Sequence, residues 1–262
     1  MNINGKITVI KIGGSLLEGN KFKSFLRVLS NYARRNPAII VHGGGKEITA
    51  LSNRLGLKNH FVNGLRHTDA QTMEAVEMAL CGKVNPFIVD QLQTLGTKAV
   101  GISGRNARVV IAKRIPSLGL VGKPCKVDTA FISMLMSRGY TPVISPIASD
   151  GKGNALNINA DDMASAVATS LKARRLILFT DVPGILDSRK KTISHVANEA
   201  QADTLIKDNI ITGGMIPKIK SAFHALKKGV GEIWILEGKL PLKNARGTLL
   251  TKGKSSLRRP FA

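Results

Sequence analysis

Lys11 stands where a lysine is costly. Residues 6–12 (Lys-Ile-Thr-Val-Ile-Lys-Ile) are rich in β-branched side chains and read as a buried first strand. Side chains alternate along a strand, so Lys11 faces away from Ile10 and Ile12. A cation in a buried strand must be paired or face a ligand, unless its stem carries the charge out to solvent. The strand runs into Gly13-Gly14-Ser15, and bare backbone N–H groups at such turns bind anions. The pattern repeats at residues 37–42, a second apolar strand ending in Gly43-Gly44-Gly45. Either glycine turn alone is equally a tight turn that needs positive φ. Two at equivalent points argue for a phosphate-bearing ligand.

Asp161 belongs to Asn157-Ile158-Asn159-Ala160-Asp161-Asp162, a loop expected to pass into a helix with apolar residues at Met163, Val167 and Leu171. Asn159 suits the N-cap, and Asp162 can close a capping box. Asn157 and Asp161 are left without a structural task. On this stretch alone, a solvated acid at the positive end of a helix is the simpler reading of Asp161. Arg66 follows the Asn63-Gly64 turn of an expected hairpin. Lys218 ends Gly213-Gly214-Met215-Ile216-Pro217-Lys218, a loop suited to open a helix.

Two strand–glycine–helix units imply parallel strands with crossover helices, hence an α/β fold with ligands beyond the carboxyl ends of the strands. Neither turn has the spacing of a P-loop or a dinucleotide fingerprint, so a Walker-type NTPase or a Rossmann dehydrogenase is not supported. A long helix is expected over residues 69–95, bent at Pro86. Further strands are expected at 99–103, 141–145, 176–180 and 231–236. A second hairpin is expected from 109–112 and 118–121, a polar turn at 148–154, and helices at 128–138 and 197–206. The chain divides near Lys172 into an N-terminal lobe (1–172) and a C-terminal lobe (173–262).

The chain has 262 residues, 43% of them hydrophobic, and no apolar run near the ~20 residues that span a bilayer. Its start lacks a signal-peptide layout. Cys81 and Cys125 form no metal or disulfide pattern and read as buried free thiols, so a cytoplasmic location is expected. The net charge of +22, from 39 Lys and Arg against 17 Asp and Glu, allows a nucleic-acid partner. Only 4% aromatic content argues against one.

Taken in order, these motifs form a set with Asn63-Gly64-Leu65-Arg66, Asn157-Ile158-Asn159-Ala160-Asp161 and Thr180-Asp181-Val182-Pro183-Gly184-Ile185-Leu186. The set resembles the amino acid kinase superfamily, and within it the kinases of N-acetylglutamate in arginine biosynthesis. The likeness covers nearly the whole chain. It implies a three-layer αβα sandwich with a mainly parallel central sheet, an amino-acid-substrate lobe and an ATP-binding lobe. It also implies transfer of the ATP γ-phosphoryl group to the side-chain carboxylate of N-acetyl-L-glutamate, with Mg²⁺ held mainly by the nucleotide phosphates and no protein metal site. Carried over residue by residue, Lys11 and Lys218 stabilise the moving phosphoryl group, Gly14 and Gly44 donate backbone N–H groups to it, and Asp161 orients the lysines. Gly44, Gly45, Arg66 and Asn157 hold acetylglutamate. Asp181, Val182, Pro183, Gly184, Ile185, Leu186, Ile210, Ile211 and Thr212 line the ATP site.

The chemistry is consistent with that allocation. A carboxylate nucleophile is ionised at neutral pH and needs no general base. Phosphoryl transfer is mainly positioning and charge neutralisation. Arg66 can grip a second carboxylate in a two-pronged hydrogen bond. The chain departs from the pattern at Ser103-Gly104-Arg105-Asn106, where relatives are often more acidic. It also lacks the N-terminal helix of hexameric, arginine-inhibited relatives, so a homodimer without that feedback is expected. The alternative is a related kinase of a glutamate or aminoadipate group on an acidic carrier protein, suggested by the positive charge.

Overall fold

The computed structural model describes residues 6–13, 19–238, 246–253 and 261. Along the chain come β1 (Thr8–Ile12), α1 (Gly19–Arg35), β2 (Ala38–His42), α2 (Gly45–Arg54), β3 (Phe61–Val62), β4 (Leu65–Arg66) and α3 (Ala70–Glu77). After a π-helical stretch, Met78–Val84, come α4 (Asn85–Thr94), β5 (Ala99–Ser103), β6 (Val110–Arg114), β7 (Val121–Val127), α5 (Thr129–Ser137), β8 (Thr141–Ser145), β9 (Ile147–Ser149) and β10 (Ala155–Ile158). The C-terminal part holds α6 (Ala160–Ser170), β11 (Arg175–Thr180), β12 (His195–Val196), α7 (Glu199–Lys207), α8 (Met215–Lys227), β13 (Glu232–Glu237) and β14 (Gly247–Leu250).

One eight-stranded sheet has the order β12-β14-β13-β11-β1-β2-β8-β5. Its pairings are parallel except that of β13 with β14. Both faces are covered, so the strands are apolar throughout rather than alternating. On one face Val9, Val41, Leu176 and Leu178 pack against Met163 and Val167 of α6 and Ile219 and Phe223 of α8. On the other, Ile10, Ile40 and Ile177 pack against Phe25 and Leu29 of α1 and Ile88 and Leu92 of α4. The expected αβα sandwich is therefore present. Alternation along β1 puts Lys11 on the Val9 face, toward α6 and α8.

Several local expectations are corrected. The helix expected over 69–95 is α3 and α4 joined through the π-helical stretch, and Pro86 falls in the first turn of α4, directly after that stretch. Asn157 lies in β10, not in a loop, because parallel pairing with β7 takes up that backbone. The second hairpin, β6–β7, is longer than expected and closes with β9 and β10 into a small barrel, and Leu118 sits in a 3₁₀ turn. β14 adds an unexpected antiparallel strand. Both cysteines are free, as expected, but exposed rather than buried.

Candidate active site

Lys11, Asp161 and Lys218 meet at the carboxyl edge of the sheet. Lys11 Nζ lies 2.9 Å from Asp161 Oδ1, and Lys218 Nζ lies 2.6 Å from Asp161 Oδ2. The three side chains are 13%, 21% and 15% exposed, so this is a mostly buried triad with one excess positive charge. Burial opposes the charge on Asp161, but the two ammonium groups outweigh it and hold the carboxyl below its usual range. Three separate elements supply the triad: β1, the first turn of α6 and the first turn of α8. Asn159 caps α6 by accepting from the backbone N–H groups of Asp161 (2.8 Å) and Asp162 (3.3 Å). Asp162, expected to complete a capping box, lines a cavity of about 330 Å³ with Lys123 and His224 on the outer side of α6 and α8.

Beside the triad is a cavity of about 200 Å³ whose lining includes Gly44, Gly45, Arg66 and Asn157, the four residues expected to hold substrate. Asn159 and Ala160 also line it, which joins it to Asp161 along the chain. Arg66 is buried beside it. Its guanidinium donates to Asn59 Oδ1, to Gly45 O at 3.1 Å and to Thr49 Oγ1 at 2.8 Å, and lies 4.7 Å from the Phe61 ring centre. Burial lowers the pKa of Arg66 from its ordinary value, yet a guanidinium stays charged at any working pH. Asn157 Nδ2 donates to Thr68 Oγ1 at 3.1 Å. Asn59 and Thr49 escaped the sequence reading. Thr49 was detectable, since it lies four residues beyond Gly45 on the same helix face.

The helix starts divide into two kinds. Helices α3, α5, α6 and α7 are capped by the side chains of Asp69, Asp128, Asn159 and Asn198. Helices α2 and α8 begin behind Gly44 and Gly214, with no side-chain cap. At α2 this is the Gly43–Gly45 turn, one of the two places where phosphate was expected; at α8 Met215 N and Ile216 N donate to Thr212 O and Gly213 O, and Pro217 has no N–H. Gly14 lies outside the described residues.

The expected nucleotide segment, Asp181–Leu186, follows β11 on the same edge as Lys218. Gly184 has φ +87°, and a Cβ there would lie 2.8 Å from Thr248 N, so only glycine fits. Ile185 N donates to Thr248 Oγ1 at 2.8 Å. The side chains of Ile185 and Ile211 are core residues that hold their loops down, whereas Val182 is 40% exposed. Asp181 and Thr212 are exposed, and Pro183, Leu186 and Ile210 are half-buried. Among the described residues, no group of three or more His, Cys, Asp or Glu side chains gathers to hold a metal.

A carboxylate-anchored lysine pair near a glycine-led helix start is an arrangement that can neutralise charge on a moving phosphoryl group. The chain belongs to the amino acid kinase family, whose model matches residues 6–237. Relatives similar to it include acetylglutamate kinases. That of Endomicrobium trichonymphae is 43% identical, with 94% of this chain and 99% of the relative covered. That of Methanocaldococcus jannaschii is 42% identical, with 90% and 85% covered. Among solved structures, that of smu.665 from Streptococcus mutans UA159 superposes with a TM-score of 0.80 at 31% identity, covering 95% of this chain and 99% of that one.

Proposed function

We propose that the chain transfers the γ-phosphoryl group of ATP to the side-chain carboxylate of N-acetyl-L-glutamate, giving ADP and N-acetyl-L-glutamyl 5-phosphate, the second step of arginine biosynthesis. The observation that carries this reading is the cavity with Gly44, Gly45, Arg66 and Asn157, whose lining reaches Ala160, the chain neighbour of Asp161 in the Lys11–Asp161–Lys218 triad. Arg66 reads the α-carboxylate, with donors left over from its protein partners, and Asn157 adds a polar contact. The side-chain carboxylate then faces the triad. Its oxygen forms the new P–O bond as the bond to the β-phosphate oxygen breaks, and no proton moves. Lys11, Lys218 and the N–H groups of the Gly44 turn take up the charge on the phosphoryl oxygens. Asp161 holds the lysines and is not a base. The relatives' names favour free acetylglutamate over a carrier-bound substrate.

Residues from about 173 onward form the nucleotide side, with Asp181–Leu186 and Ile210–Thr212 beside the uncapped start of α8. Mg²⁺ enters on the nucleotide phosphates. The protein is a cytoplasmic homodimer. The free edge of β5 and the exposed Phe87 of α4 support that association. No described helix is long and apolar enough to cross a membrane.

ADP release is to be measured with acetylglutamate, glutamate, aspartate and 2-aminoadipate as acceptors. Turnover with acetylglutamate at least a hundredfold above the others is expected. Equal or better turnover with an unacetylated acceptor would refute the assignment.

A further inference from the structure

We propose that His42 and Asn85 are positioning residues that set the Gly43–Gly45 turn for phosphoryl transfer; the inference rests on the role given to that turn above. His42 is fully buried at the end of β2, directly before the turn. Its Nδ1 is 2.8 Å from Gly43 O, and its Nε2 is 3.1 Å from Asn85 Nδ2. The amide nitrogen also donates to Val143 O at 2.9 Å on β8. An amide nitrogen only donates, so Nε2 must accept, and Nδ1 must carry the proton given to Gly43 O. One tautomer of a neutral ring satisfies every partner. Burial favours that neutral form, lowering the pKa of His42 from 6.5 to about 4.

The support for this link comes from the π-helical stretch. Asn85 follows it immediately, and the extra residue per turn rotates α4 so that Asn85 points to β2 and β8. Leu80, within the stretch, packs beneath Gly44, where an added Cβ would lie 2.5 Å from Leu80 Cδ2. Space for the Asn85 amide comes from Gly101 on β5, where an added Cβ would lie 2.0 Å from Asn85 Oδ1. The turn is thus fixed from behind at two consecutive residues: Gly43 through a hydrogen bond and Gly44 through packing. His42 and Asn85 do not line the acetylglutamate cavity, whereas Leu80 does.

The test compares full-length wild type, His42→Ala, His42→Asn and Asn85→Ala, each assayed well below its own melting temperature. His42→Asn keeps a donor near the Nδ1 position and loses the contact to Asn85. A misplacement of the turn of the order of 1 Å predicts kcat down roughly 10- to 100-fold in His42→Ala and Asn85→Ala. The KM for ATP should stay within about threefold, and His42→Asn should recover most of the loss. Amide hydrogen exchange in the peptide spanning Gly43–Ile48 should rise at least tenfold in both alanine variants, a readout that needs no turnover. Unchanged exchange there, or kcat within twofold of wild type in folded Asn85→Ala, would overturn the proposal. So would His42→Asn performing no better than His42→Ala. Should His42→Ala not fold, Asn85→Ala and His42→Asn still decide the question. An inactive wild type would count against the assigned reaction, while the exchange comparison would still judge the positioning.

Discussion

Replacing Asp161 by asparagine keeps the shape of the triad and removes its only negative charge. Lys11 and Lys218 then face one another without the carboxylate they contact at 2.9 and 2.6 Å. The three side chains are at most 21% exposed, so water compensates little. Removing one member of a mostly buried ion pair costs about 3–5 kcal/mol. In a chain of 262 residues that corresponds to a fall in Tm of roughly 10 °C. The freed ammonium groups also leave the positions that suit the phosphoryl group, which predicts a fall in kcat of about 10²-fold or more. A bound nucleotide restores negative charge through its phosphates. A non-hydrolysable ATP analogue with Mg²⁺ should therefore raise the Tm of Asp161→Asn by more than it raises that of wild type. Thermal melts with and without the analogue, together with steady-state kinetics, measure all three quantities. A variant with native Tm and kcat within threefold of wild type would refute the triad's role.

Lys11→Ala and Lys218→Ala should each lower kcat by orders of magnitude, because both act on charge that develops in the transition state; a normal kcat in either would remove that lysine from the mechanism. Arg66→Ala should raise the KM for acetylglutamate at least tenfold with ATP binding little changed, and Arg66→Lys should rescue poorly because it lacks the planar fork. Stability should fall as pH drops from 6.5 to about 4, where unfolded histidine takes a proton that His42 in the fold refuses. The full loss is about 3 kcal/mol, and chemical denaturation of His42→Asn should lack that slope. Asp161 has a lowered folded pKa, so its contribution is present above 3.8 and is lost only as pH falls through the folded value. The two effects therefore occupy adjacent pH windows, and Asp161→Asn should remove only the more acidic one.

Of the triad, only Lys11 was legible because it broke a local rule; Asp161 and Lys218 took their roles from the family resemblance. Lys11 was a cation in an apolar strand, and Lys218 followed paired glycines at a helix entry. Asp161 was a spare acid beside a helix that already had its cap. Periodicity of two placed Lys11 on the correct face of β1. What stayed hidden depended on partners far away in the chain. Asn157 looked like loop because its strand exists only by pairing with β7 and β9. The π-helical stretch at 78–84 has no periodic signature of its own, so residues 69–95 read as one bent helix. His42 looked like the end of a strand, since the partner that fixes its tautomer is 43 residues further on. The exposed cysteines show the limit of judging burial from neighbours in sequence.

Trapping the product with hydroxylamine tests the central claim most directly. An acyl phosphate yields a hydroxamate, whereas a phosphate ester or simple ATP hydrolysis does not. The purified protein with ATP, Mg²⁺ and N-acetyl-L-glutamate should form hydroxamate in step with ADP, and Lys11→Ala should abolish both. ADP release without hydroxamate, or no reaction with acetylglutamate at all, would contradict the account.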